Sequence, residues 1–185
     1  MKKVFSVLFL SLFTFSFSHA AISDADVIAK AKIYDMNCND YGDGPTIYVE
    51  HFVQKFKRVY QDQEEQVDYF LASCTAGAYN GSSILFMVEQ EQLVPIPLSI
   101  PLFNAENEVL GFYSSIVHPE LLYSEEEKSL VSFAKWRGVG DASSSGIYVF
   151  FQGEIILRSY SVDSTYDGEY NPLVIYESKV PLNSN

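Results

Sequence analysis

The sequence is poor in the residues that would point to several common functions. Its 185 residues include only 12 lysines and arginines, two cysteines and one tryptophan. So few cations disfavour binding to nucleic acid or to an anionic lipid surface, because phosphate recognition needs clustered positive charge. No G-x-S-x-G nucleophile elbow, internal repeat, coiled-coil pattern or low-complexity linker is present. We therefore expect one domain with no nucleic-acid partner.

The first twenty residues have the composition of a secretory signal peptide. Lys2 and Lys3 precede the apolar run 4–17, and the small residues Ser18 and Ala20 stand where a signal peptidase reads the chain. The apolar run is short for a membrane span, and no later segment is apolar enough to serve as one. We expect cleavage near Ala20, which would release residues 21–185 to the periplasm or the medium as a chain that does not span the membrane.

The chain that remains after this cleavage is strongly acidic. It holds 10 lysines and arginines against 24 aspartates and glutamates, a formal charge of −14. A surface of this sign keeps a protein soluble, and it also suits a cationic partner. The expected partner is accordingly an envelope component or a cationic protein, for example a lysozyme-like hydrolase.

Cys38 and Cys74 are the only cysteines of the chain. In an oxidising compartment an even pair predicts one disulfide. A zinc site would also need His51 or His118, and no short spacing typical of zinc ligands links these residues. The sequence thus predicts the disulfide Cys38–Cys74, no metal and no cofactor.

Most of the remaining sequence has the pattern of β-strands. The segment 147–151 alternates β-branched and aromatic residues, and Gln152-Gly153 separates it from a second β-rich run, which predicts a hairpin. Both faces of the first strand are apolar, so we expect it inside a sheet. The prolines of segment 93–103 exclude a central strand and predict an edge strand or an extended crossing.

Two further segments have patterns that are compatible with a helix. Ser23 followed by Asp26 resembles a capping box and predicts a helix from about Asp24 to Ile33. Helical and strand spacing both fit residues 46–60, and the β character of the later sequence favours a strand there. The expected fold is mainly β, a single antiparallel sandwich- or barrel-like domain with a short N-terminal helix.

The segments SCTAGAYNGS (73–82) and SFAKWRGVGDASSSGIYVFFQGEIILRSY (132–160) resemble domain-of-unknown-function family 1176, an uncharacterised family of exported bacterial proteins. The family elements correspond here to Cys74 with Gly77, Ala78, Tyr79 and Asn80; to Lys135, Arg137, Gly138, Gly140 and Asp141; to Gln152-Gly153; and to Asp167-Gly168. Ala142 and Tyr166 stand where many members carry cysteines. The resemblance covers residues 70–176 and implies an envelope-associated protein, without any known activity.

The segment KWRGVGD (135–141) allows two interpretations. In the functional one, Arg137 binds an anion, Asp141 positions Arg137, and Trp136 forms an apolar wall. In the structural one, Gly138 and Gly140 supply positive φ, and Arg137 pairs with Asp141 across the bend. The sequence favours the structural interpretation, because such ion pairs more often hold a chain in register than perform chemistry.

The segment DSTYDGEYN (163–171) is a weak candidate for calcium. Asp163, Thr165 and Asp167 match three ligand positions of an EF-hand loop, but Val174 stands where the bidentate glutamate should be. An Asx-type turn explains the segment better.

The function class that fits these observations is a non-enzymatic binding or interaction domain of the cell envelope. No catalytic residue is identified, because His51 and His118 have no recognisable catalytic partners in the sequence. Two alternatives stay open, an envelope glycan or peptide hydrolase that uses carboxylates, and a structural envelope protein.

Overall fold

A computed structural model describes residues 21–35, 38, 47–57, 64–74, 80–136 and 141–180. The signal peptide predicted over residues 1–20 lies outside them. The described residues form a helix, α1 (Asp24–Tyr34), and twelve strands: β1 (Ile47–Lys57), β2 (Glu64–Cys74), β3 (Ser82–Glu89), β4 (Gln92–Pro95), β5 (Leu98–Phe103), β6 (Val109–Ser115), β7 (Val117–Pro119), β8 (Leu121–Ser124), β9 (Ser129–Lys135), β10 (Ser143–Phe151), β11 (Glu154–Asp163) and β12 (Leu173–Glu177). The mainly β fold with one helix near the N-terminus is confirmed.

The strands form two five-stranded antiparallel sheets and a two-stranded ribbon. The first sheet has the order β1-β2-β3-β4, with β7 also paired to β3. The second sheet has the order β12-β11-β10-β9-β8, and β5 pairs with β6 to form the ribbon. The arrangement is sandwich-like, since one apolar cluster joins residues of both sheets and of β5.

The helix begins at the predicted capping box. The Ser23 hydroxyl accepts a hydrogen bond from the Asp26 backbone amide at 3.3 Å. The Ser23 amide donates to the Asp26 carboxylate at 3.0 Å, so two polar groups at the helix start satisfy each other. Val27 and Ala31 are fully buried and fix the helix against the outer face of the first sheet.

Residues 47–57 are a strand, as the β character of the sequence favoured. Phe52 of β1 faces the cluster between the sheets, while Val49 packs on the side covered by α1. The helix-like spacing of apolar residues arises because both faces of this strand carry them, and the helix covers the second face. Residues 58–60, the end of the ambiguous segment, lie outside the described residues.

The predicted hairpin at Gln152-Gly153 is confirmed and joins β10 to β11. Both turn residues have positive φ, +53° at Gln152 and +86° at Gly153, as a two-residue turn that matches the twist of the strands requires. The strand β10 lies between β9 and β11, which confirms its expected interior position.

Aromatic rings fill the space between the two sheets. The Phe52 ring stacks on Tyr123 with centroids 3.9 Å apart and on Tyr69 at 5.4 Å. Phe150 meets both Phe52 and Tyr69 edge-on, at 6.0 Å and 5.2 Å. Such stacked and edge-on pairs stabilise a core beyond the apolar area that they bury.

The proline-rich segment 93–103 forms no central strand, as predicted. Part of it forms β4, at one edge of the first sheet, and part forms β5 in the ribbon. Leu98 and Ile100 of β5 reach into the main core, and the buried Tyr148 hydroxyl donates to the Ser99 carbonyl at 3.1 Å. The ribbon therefore packs on the second sheet instead of joining either sheet.

The predicted disulfide is present. Cys38 and Cys74 are bonded, with Cα atoms 5.1 Å apart, and both are buried in the cluster under α1. The bond ties the segment that follows the helix to the end of β2.

The disulfide should contribute substantially to stability. We expect the double variant Cys38→Ala, Cys74→Ala to lose about 2–4 kcal/mol of unfolding free energy, because the unfolded chain regains the freedom of the closed loop. Urea unfolding measured with and without reductant provides the check. Reductant should weaken the parent protein by a similar amount and leave the double variant unchanged; equal stability of the two oxidised proteins would contradict the prediction.

A side chain at Gly153 should destabilise the hairpin turn. A Cβ there would lie 2.5 Å from the Phe56 ring, at a backbone φ of +86°. We expect Gly153→Ala to lower the unfolding free energy by about 2–3 kcal/mol. Gly111→Ala is the matched control, since nothing lies within 4 Å of its Cβ position, and it should change stability by less than about 0.5 kcal/mol. Equal effects of the two variants in urea unfolding would refute the argument.

Candidate functional site

Three chain segments meet at one end of the second sheet. The chain leaves β9 at Trp136, whose amide donates to the Ala142 carbonyl at 2.8 Å, just before β10. The loop between β11 and β12 comes next to it, because the Gly168 amide donates to the Asp141 carboxylate at 2.9 Å. The turn of the ribbon joins them through Asn107, whose side-chain amide donates to the Ser164 hydroxyl at 3.3 Å.

A fourth segment reaches the same place through Asn80. Its side-chain amide donates to the Lys135 carbonyl at 2.8 Å, and its side-chain oxygen accepts from the Lys135 amide at 2.7 Å. These two hydrogen bonds resemble the donor–acceptor pair that joins residues of neighbouring strands. They hold Asn80, just before β3, against the end of β9. Segments that carried the family resemblance therefore come together here, although they are far apart in the sequence.

The structure describes two of the five residues predicted in the segment 135–141. Asp141 is buried and accepts the Gly168 amide, and Trp136 is partly exposed. Arg137, Gly138 and Gly140 lie outside the described residues, so the pairing of Arg137 with Asp141 stays a prediction. Asp141 holds the neighbouring loop in place, a contact that the sequence did not indicate.

The carboxylates of the weak calcium candidate accept hydrogen bonds from residues of their own loop. Asp163 is buried, and its oxygens accept from the Thr165 amide at 3.1 Å, the Thr165 hydroxyl at 2.8 Å and the Asn171 amide at 2.5 Å. Asp167 accepts from the Glu169 amide at 2.9 Å. Both are Asx-type turns, and no group of three potential ligands that could hold a metal is found in the described part of the chain.

These hydrogen bonds also change the acidity of Asp163. The bonds from Asn171 and Thr165 lower the pKa of Asp163 below its ordinary value, because they favour the ionised form. The nearby Asp141 carboxylate opposes this effect. The loop between β11 and β12 is thus organised around an ionised, buried carboxylate.

Three aromatic rings lie together at this end of the second sheet, two of them exposed and one, Phe103, packed against the core. The Trp136 ring lies parallel to Phe103 of β5, with centroids 6.1 Å apart, and 6.5 Å from Tyr166. Trp136 is 37% exposed and Tyr166 is 49% exposed. We call Phe103, Trp136 and Tyr166 the aromatic surface. Sequence reasoning named Trp136 as a site candidate and Tyr166 only as a position where many family members carry a cysteine. It did not group the three rings, because they belong to separate hairpins and share no spacing.

Tyr166 adopts an unusual backbone conformation, with φ at +55°. A large side chain in this region costs free energy, and such outliers cluster at functional sites. The next loop residues continue the sharp bend, with Gly168 at φ +93°. The loop thus holds the tyrosine ring beside Trp136 at a conformational cost.

Exposed acidic side chains lie in the two loops next to the aromatic surface, and we call them the acidic rim. Glu106 and Glu108 are exposed in the ribbon turn, and Asp167 and Glu169 are exposed in the loop between β11 and β12. Asn104 orders the ribbon turn, since its side chain accepts the Glu106 and Glu108 amides at 3.1 Å and 2.8 Å. Aromatic rings beside an acidic rim are suited to a cationic partner through cation–π contacts and charge complementarity.

His51 and His118 differ sharply in environment. The His51 Nε2 atom lies 2.8 Å from the Asp68 carboxylate, and both side chains are about half exposed. The sequence did not indicate this contact, because pairing of β1 with β2 brings together residues that are 17 positions apart. His118 is buried, and its Nε2 atom lies 2.6 Å from the Ser115 carbonyl.

A cleft of about 370 Å³ beside β1 holds two carboxylates, Glu50 and Glu120, together with the exposed side chains Tyr48 and Leu122. Partial burial raises the pKa of Glu50, and the charge of Glu125 raises it further. A carboxyl group with a raised pKa that shares a cleft with a second carboxylate is one feature of the hydrolase alternative. We call this the glutamate cleft.

Comparison with known proteins found no match among family models, curated proteins or solved structures. The resemblance to domain-of-unknown-function family 1176 accordingly stays a prediction. Within the residues that the structure describes, no helix has the length and apolar character needed to cross a bilayer.

His118 should make the protein sensitive to mild acid. Burial lowers the pKa of His118 to about 4, while the unfolded chain takes up the proton near pH 6.5. The unfolded state thus binds more protons between these values, and the unfolding free energy should fall by up to about 3 kcal/mol from pH 6.5 to pH 4. Urea unfolding at several pH values measures this slope. This pH slope should be shallower in His118→Gln. Identical slopes in the two proteins would show that His118 does not cause the acid sensitivity.

Proposed function

We propose that the chain is an exported, non-enzymatic binding domain whose aromatic surface recognises a cationic protein. The observation that carries the proposal is the layer of Phe103, Trp136 and Tyr166 beside two loops with exposed acidic side chains. Tryptophan and tyrosine dominate the binding energy of protein interfaces, since they bury much area with little loss of side-chain freedom. The formal charge of −14 after removal of residues 1–20 supports a positively charged partner.

Export is part of this proposal and comes from residues 1–20. The disulfide Cys38–Cys74 agrees with it, since disulfides persist in oxidising compartments. The hydrogen bonds made by Asn80, Asp141 and Asp163 hold the loops before any partner arrives. A surface organised in advance loses little conformational freedom on binding, which favours affinity.

Tyr166→Gly provides a sharp test because it separates binding from folding. Glycine adopts positive φ freely, so the variant should keep its unfolding free energy within about 1 kcal/mol. It nevertheless removes one ring of the aromatic surface. We expect loss of at least about tenfold in affinity, typical of a central aromatic contact, and a similar loss in Trp136→Ala.

The measurement starts with capture of proteins from an envelope extract by the immobilised protein and by its variants. The partner is the cationic protein that the parent and Tyr34→Ala retain and Tyr166→Gly does not. Tyr34 is a matched control, because it is also an exposed tyrosine beside another ring but lies on α1. Affinity is then measured by calorimetry at two salt concentrations and should weaken as salt screens the acidic rim. Equal capture of the partner by the parent and by Tyr166→Gly would refute the proposal.

The glutamate cleft supports a second candidate function, hydrolysis of an envelope glycan or peptide. The raised pKa of Glu50 would suit a general acid, with Glu120 as the second carboxylate. Loss of hydrolysis of a peptidoglycan preparation in Glu50→Gln, with unchanged binding by the aromatic surface, would favour this alternative over the binding domain.

A further inference from the structure

A second cleft lies at the N-terminal end of α1, against the outer face of the first sheet. Its volume is about 480 Å³, which is within the range of small-molecule sites, roughly 300–1,000 Å³. The residues that line it are Ala21, Ile22, Asp24, His51, Asp68, Phe70, Val88 and Glu91. We call it the histidine cleft. It is separate from both the aromatic surface and the glutamate cleft.

The floor of the histidine cleft is apolar and rigid. Phe70 is buried in the cluster that holds α1 on the sheet, and Ile22 and Val88 pack against that cluster. Phe70 and Val88 belong to the adjacent strands β2 and β3, so the position of this floor is set by the sheet. A floor of this kind favours an apolar ligand body, which would bury its surface there.

The polar groups of the cleft select the charge of the ligand. His51 stacks on Phe70 with ring centroids 4.6 Å apart, and its Nε2 atom lies 2.8 Å from the Asp68 carboxylate. In the neutral imidazole this contact places the proton on Nε2, so the lone pair of Nδ1 can accept a hydrogen bond from a ligand. No hydrogen bond to Nδ1 is found within the described residues.

Carboxylates provide the remaining charge. Among the described residues, Asp24, Asp68 and Glu91 line the cleft and no lysine or arginine does. Ala21 lines it too, and its α-amino group becomes a cation once residues 1–20 are removed, so three carboxylates outnumber one positive charge. An ammonium group has three donors and no acceptor, so it complements carboxylate oxygens and the Nδ1 lone pair. We propose that the histidine cleft binds small molecules that carry one protonated amine on an apolar body.

The probe for this site is phenethylammonium, compared with neutral 2-phenylethanol and anionic 3-phenylpropionate, which have similar apolar bodies. Titration of the purified protein is followed by the backbone amide resonances of Phe70 and Val88 in NMR spectra. We expect saturable shifts with phenethylammonium, binding at least about threefold weaker with the alcohol, and the weakest binding with the anion.

Matched variants separate local from overall charge. Asp68→Asn keeps the shape of the side chain and should weaken phenethylammonium binding about three- to tenfold. Glu154→Gln removes one charge in the β10–β11 turn, away from this cleft, and should leave affinity within about twofold. His51→Gln provides a second variant in the cleft and should also weaken binding. Melting temperatures confirm that each variant is folded.

Three results would overturn the proposal. Equal affinity for the ammonium and the alcohol would show an apolar cleft without charge selection. An equal loss in Glu154→Gln and Asp68→Asn would assign the effect to the net charge of the protein. Absence of any saturable shift at Phe70 and Val88 would exclude the site itself.

Discussion

The structure depends on the burial of the first sheet on both of its faces. On one face Tyr69 and Leu71 meet the second sheet, and on the other Phe70 and Ala72 meet the helix. Consecutive residues of β2 therefore enter two different apolar clusters, because side chains alternate across a strand. This two-sided burial gives the sheet a fixed position between a helix and a second sheet, and both clefts lie against it.

The candidate sites occupy places where this scaffold ends or is left uncovered. The aromatic surface lies beyond the end of the second sheet, where loops from three hairpins meet. The glutamate cleft lies beside β1, and the histidine cleft lies where α1 leaves part of the outer face open. Loops and clefts on a rigid scaffold are where binding residues concentrate, because the strands hold them in place.

Buried polar contacts decide the shape of the loops more than apolar packing does. Asp163 organises the loop between β11 and β12 from inside, and Asp141 fixes the same loop from the neighbouring hairpin. Asn80 joins the two sheets at this end through two bonds to one backbone unit. Asp141 and Asp163 are buried, and the backbone amides that they accept supply hydrogen bonds that a buried carboxylate would otherwise lack.

Local sequence was sufficient for features that depend on neighbouring residues. The capping box, the Gln152-Gly153 hairpin and the interior position of β10 follow from spacing and turn chemistry over a few residues, and a single cysteine pair leaves one possible disulfide. The aromatic surface, the His51–Asp68 pair and the two clefts were decided by tertiary structure alone. Their members lie on different strands and loops, and only the pairing of strands and the packing of layers brings them within contact distance.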